Sequence, residues 1–328
     1  MDFQFYPLRF EFVGLDSIFF PPGKATNVLR GALGTIFRGI ACVPECRRSA
    51  DSRHCEIRHL CPYAAVFEPV AQGPGPSGFA DPPRPFVFRA GHLDGRAIRP
   101  GDPFHFDLNL FSLDPDTLAY FVLTFAALAR EGLGPSRGKA ELRTVRRLPV
   151  GKTPAGHLPG ATLYSASTHT MSSLAEPVTL SLEPDPTAPP RIRVEFVTPL
   201  ELKQIHRVVD RPEFGVLFAR IRDRIANLRK LYGAGPLELD FQGSNERAAL
   251  VRMTDCRMRR EERDRRSSRT GQTHSIGGFV GTAEYEGDLA EFLPWLEAAR
   301  YTGVGRQAVW GKGEIIVVGQ AFLSATGF

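Results

Sequence analysis

Phe3-Gln4-Phe5-Tyr6-Pro7-Leu8-Arg9-Phe10-Glu11-Phe12 opens the chain with apolar side chains at Phe3 and Phe5, then at Leu8, Phe10 and Phe12. Alternate residues of a strand face opposite ways, so this stretch predicts a half-buried strand. Pro21-Pro22-Gly23 ends it, and Ala25–Ile40 follows with Val28, Leu29, Leu33, Ile36 and Phe37 at helical spacing. Phe86–Arg89 reads as a short strand, and Phe104, Phe106, Leu108 and Leu110 alternate in the next. Asp114-Pro115 opens a helix to about Arg130, with Pro at the favoured first position. Glu141–Val150 closes the set as a strand. The order is β-α-β-β-α-β.

The second half repeats it. Ile192, Val194 and Phe196 alternate within Arg191–Leu202, Glu213–Tyr232 is a helix, and Ala249–Met258 and Ile276–Tyr285 are strands around an arginine-rich hairpin. Asp288–Arg300 is a helix and Glu314–Val318 the last strand. The expected fold class is α+β: two tandem ferredoxin-like (βαββαβ) domains, the first with a cysteine-containing insertion. The expected domains are 1–160 with an insertion at about 42–85, an interdomain segment at 161–190, and 191–328 with a glycine-rich loop.

Composition narrows the class. Hydrophobic residues make up 42% of the 328, enough for a sizeable core. The net charge is +5, and only 6 of the 41 cations are Lys. Arg grips phosphate bidentately and stacks on bases, so the bias fits nucleic acid, although a GC-rich genome gives the same skew. The longest apolar run, Leu118–Ala129, is too short to span a bilayer. With no signal peptide after Met1 and five cysteines, a cytoplasmic protein without a disulfide framework is expected.

Gly303-Val304-Gly305-Arg306-Gln307-Ala308-Val309-Trp310-Gly311-Lys312-Gly313 lies between the last helix and the last strand. Clustered glycines expose backbone N–H groups, and with Arg306 and Lys312 beside them the loop suits a phosphate. A tight helix–strand connection would account for the same glycines. Dinucleotide and Walker motifs are excluded, because the flanking elements come in the wrong order and the spacing to Lys312 is wrong. The strand around Met253 has no aromatic ladder, which argues against an RNA-recognition module.

Cys42, Cys46, Cys55 and Cys61 form a C-x3-C-x8-C-x5-C pattern in the insertion. Four thiolates suit a structural zinc. An iron–sulfur cluster and unliganded, partly buried cysteines are the alternatives.

Three stretches carry a family resemblance. These are Leu29-Arg30-Gly31-Ala32-Leu33-Gly34 on the first helix; Arg266-Ser267-Ser268-Arg269 with Ile276-Gly277-Gly278-Phe279-Val280-Gly281 and Tyr285-Glu286-Gly287-Asp288; and the glycine-rich loop. In that order the chain resembles the RAMP superfamily of CRISPR-associated proteins, in particular the repeat-processing endoribonucleases (the Cas-six family). The resemblance implies a basic cleft between two ferredoxin-like domains, with CRISPR repeat RNA as substrate. It implies cleavage by 2′-hydroxyl attack to a 2′,3′-cyclic phosphate, with no metal required for the chemistry. Other Cas effector subunits are implied partners; no membrane is. The alternative is a non-catalytic RAMP subunit holding a processed crRNA end.

That reaction needs a base, an acid and cations on the phosphorane oxygens. Family members often carry a His on the first helix, but residues 24–40 here contain none. Lys24, Arg30 and Arg38 are the expected phosphate ligands. His274, which ends the arginine hairpin, is the first candidate acid or base, and His169 in the polar stretch 165–173 is the second. Residues 252–269 hold eight Arg and four acids. Arg257, Arg259, Arg263, Arg265, Arg266 and Arg269 are expected on the RNA backbone, with Arg300, Tyr301, Gly303, Gly305, Arg306 and Lys312. A charged edge hairpin that resists strand pairing is the competing account.

Overall fold

The computed structural model describes residues 1–43, 55–70, 82–150, 160–168, 170–172, 176–204, 207–262, 264–266, 273–275, 277–305 and 307–319, with the backbone alone at 115, 264–266 and 273–275. Two compact units emerge: residues 4–179 with 227–235, and residues 1–3, 180–226 and 236–328.

In the first unit the strands are β1 (Asp2–Gly14), β2 (Ile18–Phe19), β3 (Phe86–Arg89), β4 (Ala97–Ile98), β5 (Pro103–Leu110), β6 (Ala140–Arg147), β7 (Thr162–Ser165), β8 (Thr170–Met171) and β9 (Val178–Ser181). The helices are α1 (Ala25–Gly31), α2 (Leu33–Ala41), α3 (Pro62–Phe67) and α4 (Pro115–Glu131). The main sheet runs β3-β5-β1-β6-β7-β8, and β9 pairs with β1. Phe10 of β1 stacks on Phe106 of β5 at 5.2 Å, and both meet Phe125 of α4 edge-on at 4.8 Å. Each buried ring contributes on the order of 1.5–3 kcal/mol. Asp114 accepts from the Asp116 amide at 3.0 Å and starts α4 where the sequence placed it.

The second unit has β10 (Arg191–Leu200), β11 (Lys203–Gln204), β12 (Arg207–Val208), α5 (Phe214–Tyr232), α6 (Phe241–Leu250), β13 (Arg252–Glu261), β14 (Asp264–Arg266), β15 (Thr273–Ser275), β16 (Gly278–Glu286), α7 (Leu293–Thr302) and β17 (Ile315–Gly319). Its sheet runs β13-β16-β10-β17. Number the four main strands of either repeat in chain order, and both sheets read second, third, first, fourth. That is the ferredoxin-like arrangement in each half. Tyr285 is fully buried against Phe214 at 5.2 Å, and its Oη donates to the Pro212 carbonyl at 2.6 Å. Among the described residues no helix is long and apolar enough to cross a membrane.

Several elements differ from expectation. The helix over 25–40 is two pieces, broken at Ala32 (φ −97°, ψ −8°). The strand expected from Ala249 begins at Arg252, because α6 occupies the preceding residues. The last helix starts at Leu293 rather than Asp288. The insertion contributes α3, whose Phe67 packs on Phe37 at 5.1 Å and Phe86 at 5.8 Å. Arg222 and Arg224 are buried, and Arg222 donates to Asp223, to Ser244 and to the Phe241 carbonyl.

Candidate nucleic-acid interface

β13 lies at the edge of its sheet and presents a row of arginines. The side chains of Arg257 and Arg259 are 81% and 74% exposed and, among the described residues, pair with Asp255 (2.9 Å) and Glu261 (2.8 Å) of their own strand. Exposed pairs of this kind contribute about 0–1 kcal/mol. A phosphate can displace those carboxylates at little cost. In the sequence the arginines continue into β14, whose backbone pairs with β15 so that Arg265 lies opposite His274 and Arg266 opposite Thr273. Arg263 and Arg269 lie outside the described residues, as does the side chain of His274.

The glycine-rich loop is organised differently from the expected cradle. The amides of Gly303, Val304, Trp310, Gly311 and Gly313 donate to carbonyls of Ala299, Gly313, Gln307, Ala308 and Pro199. The amide of Glu314 donates to Thr198 Oγ1. These groups close the loop on itself and on residues 198–199, and they are not offered to a ligand. The glycines serve the same closure. Gly305 and Gly313 have φ of 73° and 66°. A Cβ at Gly305 would meet the Glu201 carbonyl at 2.5 Å, and one at Gly313 would collide with that of Val304. Lys312 is 7% exposed. Arg306 lies outside the described residues. Arg300 sits in the last turn of α7, bonded to Glu297 at 2.7 Å, with Tyr301 half-buried beside it.

In the first unit, the three cations of the helical stretch separate. Lys24 is exposed at the start of α1, Arg30 is half-buried near its end, and Arg38 lies in the last turn of α2. Lys24 and Arg38 thus lie on either side of the break at Ala32. Arg38 lies over the Tyr63 ring at 5.7 Å and beside Cys42, a packing role. His169 lies outside the described residues.

The cysteines do not assemble a metal site among the described residues, where no group of three or more His, Cys, Asp or Glu could hold an ion. Cys42 and Cys61 are buried together with Ala64, packed by Tyr63. Burial, and then the neighbouring Cys61, push the Cys42 thiol up. Cys55 is half-buried, and Cys46 lies outside the described residues. The structural zinc therefore has no support here.

One polar cluster was not apparent from the sequence. His92, in a 3₁₀ turn (Gly91–Leu93), stacks on His105 of β5, with ring centroids 4.5 Å apart and planes at 26°. His92 Nε2 lies 2.8 Å from the His105 carbonyl oxygen. Alongside, Arg9 Nε and Nη2 donate to Asp107 at 2.7 and 3.0 Å. Glu11, opposite His105 in register, pairs with Arg146 at 3.1 Å and accepts from Thr144. Burial first, then Arg9 and His92, push the His105 imidazole below its ordinary range.

Two family models match the chain. One, an N-terminal domain (AF_1859_N), covers residues 3–176, and the other, CRISPR-associated endoribonuclease Cas6, covers residues 194–315. No curated protein matches in sequence. Among solved structures, a Cas6 product complex, whose protein is from Thermus thermophilus, superposes with a TM-score of 0.54 at 16% identity, covering 96% of this chain and 99% of that one. A Cas6-RT-Cas1–Cas2 complex gives 0.50 at 12% identity, covering 97% of this chain and 29% of the other. At these identities the likeness establishes the fold.

Proposed function

The chain belongs to the Cas6 family of CRISPR-associated, repeat-RNA-processing endoribonucleases, and we propose that it binds CRISPR repeat RNA and cuts it by 2′-hydroxyl attack, leaving a 2′,3′-cyclic phosphate. The observation that carries this reading is the family match over 194–315, the stretch that contains the exposed arginine strand and the glycine-rich loop.

The arginines of β13 and β14, with Arg263 between the two strands and Arg269 after them, hold the RNA backbone. Lys24 and Arg30 supply further phosphate contacts. The closed loop acts as a rigid support for Arg306 and for Tyr301 rather than as an anion cradle. His274, whose backbone lies opposite that of Arg265, is the residue we take to exchange a proton in the reaction. No metal takes part in the chemistry. Because one structural neighbour is a Cas6-RT-Cas1–Cas2 complex, other Cas subunits are the partner class we infer.

A second reading is favoured by one observation: none of the eight histidines falls in residues 24–40. On that reading the chain holds a processed crRNA end without cutting. Incubating the source genome's repeat RNA with the protein in excess chelator decides between them. A single cut with a cyclic phosphate end supports cleavage. Tight, salt-sensitive binding without a cut supports the holding role.

A further inference from the structure

We propose that the second unit carries a mononucleotide site, in the cavity between the β11–β12 hairpin, the start of α5 and the end of α6. The inference stands apart from the RNA cleavage proposed above and does not rest on it.

The cavity holds about 470 Å³, the size of a small-ligand pocket. Lys203 of β11, Arg220 of α5 and Asn245 of α6 all line it. Its two cations lack full compensation. Arg222 takes Asp223 Oδ1 at 2.9 Å, so Arg220 is left with a 3.5 Å approach to Asp223 Oδ2. Arg220 Nε is buried and has no acceptor. Lys203 forms no ion pair among the described residues. A buried donor without an acceptor is costly, and a ligand oxygen brought to it removes that cost. Asn245 Oδ1 accepts from Arg222 Nη1 at 2.9 Å, which leaves the Nδ2 hydrogens of the same amide for a ligand. Two cations and an amide donor around one space suit the three oxygens and double charge of a phosphate monoester.

A phosphate alone would leave most of that volume empty. The remainder is bounded by Val216 and Ala249, with Gln204 and Glu213 as exposed acceptors. Apolar sides with acceptors at the edge fit a nucleobase. An ionised carboxylate only accepts, so guanine, which presents two adjacent N–H donors, is the base that matches Glu213. Past Gln204 and Glu213 the cavity opens into a groove beside Arg207 and Arg211, and this gives an anionic ligand its way in.

The arginine hairpin lies elsewhere. Val251, in the cavity lining, immediately precedes β13, whereas the hairpin follows the far end of that strand at Glu261. The 10 residues of β13 run about 30 Å between the two.

The test is calorimetric titration of the full chain with GMP, beside inorganic phosphate, guanosine and repeat RNA. The expected result is a single saturable site for GMP, with phosphate and guanosine each ~10-fold or more weaker. Lys203→Gln and Arg220→Gln should each weaken GMP ~10-fold or more, with repeat-RNA affinity within about twofold of the parent. Lys203→Gln leaves the buried Asp223 cluster untouched, so it decides the matter even where Arg220→Gln does not fold. No saturable GMP binding overturns the proposal, as does a Lys203→Gln chain that binds GMP like the parent. Phosphate that binds as well as GMP also overturns it, since the site would then hold an anion without reading a base. So does repeat RNA that displaces GMP while Lys203→Gln weakens both alike, because the cavity would then be part of the RNA face.

Discussion

The amide of Val304 donates to the carbonyl of Gly313 at 2.9 Å, and this bond draws the two limbs of the glycine-rich loop together. Gly313 holds a left-handed φ of 66° with no room for a Cβ against the Val304 carbonyl. Gly313→Ala must open the loop, at a cost on the order of 3 kcal/mol. Gly215, in α5 of the same unit, is the contrast, because its Cβ would meet Ala249 at 3.7 Å, an ordinary contact. Gly215→Ala is expected to leave stability within about 0.5 kcal/mol or raise it. Urea unfolding of both variants checks the pair. Equal effects would mean the loop is not held shut in this way.

Arg257 and Arg259 test the RNA face. Their pairs are exposed, so Arg257→Ala and Arg259→Ala should leave the melting temperature unchanged. Each should weaken repeat-RNA binding about 3–10-fold and lower the salt slope of log affinity by about 1. Fluorescence anisotropy across a salt series measures both. An unchanged slope would leave the strand as a charged edge that only resists pairing.

Glu284 gives a pH dependence with a definite sign. Hydrogen bonds from Arg193 first, and from Arg191, hold its carboxyl below the usual carboxylate range in spite of burial. An unfolded Glu titrates near about 4.3. The folded value is lower, so the stabilisation is complete above the unfolded pKa and is lost as pH falls through the folded one. Glu284→Gln should therefore lower the melting temperature at pH 7, and its gap to the parent should narrow below about pH 4. A gap that does not change with pH would remove the ionic account.

The legible parts of the fold were those with a strict period. β1, β5 and β10 alternate, and α4 announces itself through Asp114-Pro115. The paired β-α-β-β-α-β order then followed. α6 was missed because Phe241–Leu250 has no apolar stripe. Arg222 of α5 holds it by polar contacts from 19 to 23 residues away. The Asp240 cap on the Gly243 amide was the one local signal available. The arginine strand could be read from composition alone. The glycine loop could be read two ways, because glycines that admit a ligand and glycines that admit neighbouring backbone look alike in a sequence. His92 and His105 were invisible for another reason. Their contact depends on where a 3₁₀ turn meets a strand, which no periodicity encodes.

The break at Ala32 also bears on how the first unit opens. It leaves helices of 7 and 9 residues, each too short to persist in water without tertiary support. α2 has that support through Phe37 against Phe121, whereas α1 buries only Ala25 and Leu29. Amide hydrogens of α1 should consequently exchange through local opening well before those of the sheet. Lys24 and Arg30 belong to that loosely held turn. An RNA that engages them would order it on arrival, so association and local folding become one event, and the entropy of that ordering enters the discrimination between repeat and non-repeat RNA.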